Sequence, residues 1–82
     1  MKPWEHPKVR EILSKLEKQG EEERIMDTPS GPKRFRITHY KDPEGNEILE
    51  IRGLETDDYI LIPKKTLAQI LQEAKETTTY KH

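Results

Sequence analysis

The chain is expected to be a single α+β domain, an antiparallel three- to four-stranded sheet flanked by an N-terminal and a C-terminal helix. Three observations predict this. Apolar residues recur at helical spacing near both ends of the chain, at Val9, Ile12, Leu13 and Leu16 and again at Leu67, Ile70, Leu71 and Ala74. Between them Lys33–Lys41 alternates with period two, as a half-buried strand does. The segment Asp42-Pro43-Glu44-Gly45 then matches a type I turn closed by a glycine bulge, which reverses the chain into a second strand.

The elements follow in order. Residues 1–6 form an N-terminal arm containing Trp4, the only tryptophan. Pro7 suits a first helical position, with His6 as the cap before it. Gly20 is placed to stop that helix, and Glu21-Glu22-Glu23 is expected to be a solvated run beyond it. An extended segment over 23–28 has only Ile25 and Met26 as apolar residues. Pro29-Ser30-Gly31-Pro32 reads as a loop, because prolines and glycine interrupt a central strand.

The Asp-Pro-Glu-Gly turn fixes a register. If Asp42 faces Asn46, then His39 faces Leu49, Ile37 faces Ile51 and Arg36 faces Arg52. One face of the hairpin carries Phe35, Ile37, Leu49 and Ile51, with His39 near the turn. The other carries Arg34, Arg36, Thr38, Tyr40, Ile48, Glu50 and Arg52. After an acidic turn over 53–57, a third clear strand spans 58–62. It is apolar on both faces, which predicts a central or covered strand. Pro63 ends it and opens the second helix, and the three threonines from Thr77 begin a tail over 77–82. Both helices carry a single apolar stripe and are expected to cover the same face of the sheet.

Composition bounds the function. Eighty-two residues allow one domain, 1–82, and with 30% hydrophobic against 38% charged residues its core must be thin. There is no cysteine, so neither disulfides nor thiolate-bound metal can reinforce it. Oligomerisation is the remaining common remedy, and a homodimer is expected. The same absence fits a cytoplasmic protein. No run approaches the length of a membrane span, and residues 1–7 lack the apolar core of a signal peptide. Abundant Lys and Glu without Cys is a composition met in hyperthermophiles, which points toward an archaeal source.

Nothing resembles a catalytic site, and no enzyme activity, cofactor or small-molecule substrate is expected. His6, His39 and His82 lie far apart, and the glycines form no phosphate loop. Asp57-Asp58 reads as an acidic turn in preference to a metal site.

The basic strand carries more information. Lys33, Arg34, Arg36 and Lys41 are interleaved with Phe35, His39 and Tyr40, the mixture of cations and rings that single-stranded nucleic acids require. The register places Arg36 opposite Arg52, a like-charge pair that a bound phosphate or the nearby Glu50 would relieve. The net charge of −1 means that distribution matters more than total charge. The candidate nucleic-acid-binding set is therefore Lys33, Arg34, Arg36, Tyr40, Lys41 and Arg52, with single-stranded DNA or RNA as partner. The second reading is a protein-interaction module assembling through its sheet or helices, with Trp4, Tyr59 and Leu61 as candidate interface residues.

The antiparallel sheet, the basic aromatic strand and the helix entered directly from Tyr59-Ile60-Leu61-Ile62-Pro63 resemble small single-stranded-DNA-binding domains. Over residues 24–76 the element order is similar to that of the transcriptional coactivator family built on a curved four-stranded sheet and a helix. It is also similar to the archaeal ThermoDBP family, which has an N-terminal helix. The resemblance implies sequence-independent binding of single strands along the sheet, through Arg34, Arg36, Tyr40 and Arg52.

Overall fold

The computed structural model describes residues 2–79, with side chains through residue 75. A single 3-10 turn, Pro3–Glu5, leads into helix α1, Pro7–Ser14. Strands β1 (Glu17–Thr28), β2 (Gly31–Lys41), β3 (Glu47–Gly53) and β4 (Tyr59–Pro63) follow, and helix α2 (Lys64–Thr79) comes last. The strands form one antiparallel sheet in sequence order, so the α+β class and the α-β-β-β-β-α order stand as expected.

The Asp42 turn sets the central register. The Asp42 N–H donates to the Asn46 carbonyl at 3.0 Å, and the Gly45 N–H donates to the Asp42 carbonyl at 3.0 Å. Gly45 sits at φ +86°, a conformation that glycine adopts without steric cost. The Asp42 carboxylate also accepts from the Glu44 and Asn46 backbone N–H groups and from the Asn46 amide. Those bonds, the Asn46 side chain first, hold its pKa below the ordinary aspartate value. The resulting pairs are Arg36↔Arg52, Ile37↔Ile51 and His39↔Leu49, as the turn dictated.

Several boundaries differ from the sequence reading. Helix α1 ends at Ser14, and Gly20 lies inside β1, just past a bulge at Gln19, so it is not the helix stop. The glutamates 21–23 pair with β2 through their backbone, and the sheet ladder overrides the absence of an apolar pattern. Pro29-Ser30 alone forms the next turn. Thr28 pairs with Gly31, and the Thr28 hydroxyl donates to the Gly31 carbonyl at 2.7 Å. Pro32 is tolerated within β2 because β3 pairs only from Phe35 onward, leaving the Pro32 segment with a neighbour on one side.

β4 is an edge strand and not a central one. Its short length and terminal Pro63 discourage further pairing, while the charged β1 protects the other edge. The second helix continues through Thr77 and Thr78 to Thr79, three residues into what reads locally as a tail. His6 does cap α1, its Nδ1 accepting from the Lys8 N–H at 3.1 Å.

The N-terminal segment lies against the face that carries Arg52, Tyr40 and Tyr59, with the Trp4 ring 5.8 Å from the Tyr59 ring. The opposite face, with Ile37, Leu49, Ile51 and Ile62, is only half-buried. Among the described residues Phe35, at 8% exposure, is the one buried hydrophobic side chain.

Candidate functional site

The most deeply buried side chain is charged. Glu50 lies at the middle of β3, facing Thr38 on β2 and Leu61 on β4, and it is fully buried. A carboxylate removed from water is tolerable only when its lone pairs are satisfied by strong donors. Three donors converge here: Arg52 Nε at 2.9 Å, Arg52 Nη2 at 3.1 Å and the Tyr59 hydroxyl at 2.7 Å. The alternating strand supplies this geometry, because residues 50 and 52 project to the same side and Tyr59 sits directly across from Arg52.

Trp4 closes the cluster from above. The Arg52 guanidinium carbon is 5.2 Å from the Trp4 ring centroid, and the Lys2 ammonium is 5.9 Å from it. Lys2 also reaches Asp57 at 2.7 Å, tying the arm to the β3–β4 turn. That contact lowers the Asp57 pKa, chiefly through the hydrogen bond from Lys2. Burial, followed by the hydrogen bond to Glu50, pushes the Tyr59 hydroxyl pKa far above its usual value. Tyr40 is raised as well, by burial first and then by the Glu50 charge.

The expected nucleic-acid-binding residues separate into two groups. Arg34, Arg36, Tyr40 and Arg52 share one face, whereas Lys33 and Lys41 alternate to the other. The arginines are engaged: Arg34 lies 3.8 Å from Glu55, Arg36 lies 3.3 Å from Glu23, and Arg52 holds Glu50. Glu55 also accepts the Arg34 backbone N–H at 3.0 Å. The like-charge pair Arg36–Arg52 is thus relieved by carboxylates on the same face, without a bound anion. The expected positive face therefore carries its carboxylate partners with it, and the N-terminal segment meets it at Arg52 while Arg34 and Arg36 stay exposed.

The candidate interface residues also pack within the chain. Trp4 and Tyr59 contact each other, and Leu61 is half-buried across from Glu50. Reading the sequence named Glu50 as one way to relieve the Arg36–Arg52 pair but did not foresee it as the fully buried centre of that face. It also passed over Arg10. Among the described residues Arg10 is the one arginine with no carboxylate in ion-pairing range, since Arg24 pairs with Glu22 at 3.1 Å.

Arg10 stands beside an open groove of about 600 Å³ between the N-terminal segment and the sheet, which Trp4, Leu13, Tyr40 and Arg52 also line. The exposed large apolar side chains are Ile25 on β1 at 71%, Leu71 at 57%, Ile12 at 50%, Ile70 at 49% and Ile60 at 40%. Among the described residues no helix is long and apolar enough to cross a membrane. No protein-family model, curated protein or solved structure matches the chain.

Proposed function

We propose that the chain is a homodimeric assembly module, closing the exposed stripe of α2 and the half-buried isoleucine face against a second copy. One observation carries this reading: the single chain has too much surface for its mass. It exposes 6454 Å², where a folded monomer of 9.7 kDa exposes about 5,100 Å². Its radius of gyration is 14.6 Å, against about 12 Å for a compact domain of this length. The excess surface exceeds the ~800 Å² that each partner contributes to an ordinary stable interface.

The location follows from what is already protected. Both sheet edges are blunted and Trp4 closes the arginine face at Arg52, while Leu71 and Ile70 of α2 and Ile60 of β4 stand exposed. With Arg34, Arg36 and Arg52 already paired to carboxylates, single-stranded nucleic-acid binding along their face has weaker support. A cysteine-free assembly of this kind suits a cytoplasmic setting.

Light scattering coupled to size exclusion tests the proposal. The native chain is expected to elute at twice the monomer mass, and Ile70→Glu or Leu71→Glu to shift it to the monomer. Both side chains are about half exposed in the single chain, so these substitutions leave its own packing nearly intact, and circular dichroism checks that. A folded native monomer at high concentration would refute the assembly reading.

A further inference from the structure

We infer that the groove between the N-terminal segment and the sheet binds a nucleotide, with Arg10 taking the phosphate and Trp4 and Tyr40 contacting the base. The groove is formed within one chain, so the inference does not depend on dimerisation.

The first argument is electrostatic. Arg24, Arg34, Arg36 and Arg52 each have a carboxylate partner, and Arg10, exposed at the groove, does not. A guanidinium presents a planar fork of donors that matches phosphate oxygens. Glu5, the acidic residue lining the same groove, already accepts the Lys2 backbone N–H at 3.0 Å, and it makes no ion pair with Arg10.

The second argument concerns the rings. Trp4 and Tyr40 both line the groove, and aromatic rings stack on the π-face that every base presents. Trp4 is already held in place by Tyr59 and by Arg52, so binding requires little further ordering of it. Arg52, neutralised by Glu50, contributes a planar polar wall with little net charge. Leu13 supplies an apolar surface on the helix side.

Size agrees with a ligand of this class. About 600 Å³ lies within the range of small-ligand sites and exceeds the volume of one nucleotide unit. The same chemistry is offered by a free nucleoside monophosphate and by one residue of a single strand.

The only tryptophan of the chain lies in the groove, so its fluorescence reports binding directly. The probes are adenosine monophosphate, adenosine, inorganic phosphate and a short oligodeoxyadenylate. Saturable quenching by the monophosphate, weakened by salt and stronger than with adenosine or phosphate alone, supports a free-nucleotide site. Quenching by the oligonucleotide only supports the same site reading a strand. Arg10→Ala is expected to weaken binding about tenfold, the loss of one charge-assisted contact. Arg36→Ala, outside the groove, is expected to leave binding unchanged. The inference is overturned if no probe gives a saturable change, if phosphate alone binds as tightly as the nucleotide, or if Arg10→Ala has no effect.

Discussion

The two faces of the sheet solve the problem of a thin core in different ways. On the arginine face the chain buries a carboxylate and surrounds it with donors, with Trp4 closing over Arg52 and Tyr59. On the isoleucine face it buries Phe35 and leaves Ile37, Leu49, Ile51 and Ile62 half-buried. The polar face has its buried centre in an ion pair, whereas the apolar face has it in one aromatic ring. A small protein with 38% charged residues can therefore place its most deeply buried centre around an ion pair while much of its apolar surface stays half-buried.

The largest test of this contrast is Arg52→Met. It leaves Glu50 buried with the Tyr59 hydroxyl as its remaining partner, and breaking a buried pair in this way costs about 3–5 kcal/mol. Urea denaturation should show a loss of that size, enough to unfold much of so small a domain. If stability were unchanged, Glu50 would not be the centre of that face. Tyr59→Phe removes one hydrogen bond to a charged acceptor and is expected to cost about 1.5–3 kcal/mol in the same assay. It also separates this face from the other, because dimer mass should persist while stability falls.

Arg36→Ala provides the smallest effect. The Arg36–Glu23 pair is largely exposed, so its removal should change stability by no more than about 1 kcal/mol. A larger loss would mean that the outer ion pairs hold the sheet together.

Acid titration probes the turn that aligns both faces. Asp42 has a depressed pKa in the folded chain, so its contribution is present above the ordinary aspartate value of about 3.9 and is lost as pH falls through the lower folded value. Thermal melts of the native chain should therefore lose an increment of stability over that window, and Asp42→Asn should lack it. Equal acid sensitivity in the two proteins would remove Asp42 as its source. At high pH the sign reverses for Tyr59. Its raised pKa favours the neutral phenol in the folded state, so its stabilising contribution holds below about 10 and declines as pH rises further.

Much of the architecture was legible in the chain because it rests on local signals. The Asp42–Gly45 turn encodes its own hydrogen bonds, so the pairing of residues 36–39 with 49–52 could be read from four residues. Both helices announced themselves by spacing. β1 was legible only in part, because its edge position asks for backbone pairing and not for an apolar face, and its glutamates look like a solvated run.

The candidate sites were less accessible. Sequence places Arg36 and Arg52 side by side and Glu50 on their face, but it does not say whether an anion, a carboxylate or water neutralises them. Trp4 and Lys2 answer part of that question from more than fifty residues away, by docking on Tyr59 and Asp57. Periodicity and turn chemistry act between near neighbours, so the chain by itself determined its elements, its hairpin register and the composition of each face. Only the tertiary structure decided which face the N-terminal segment covers and which arginine remains unpaired, because burial and charge pairing depend on residues that meet through folding and not through sequence.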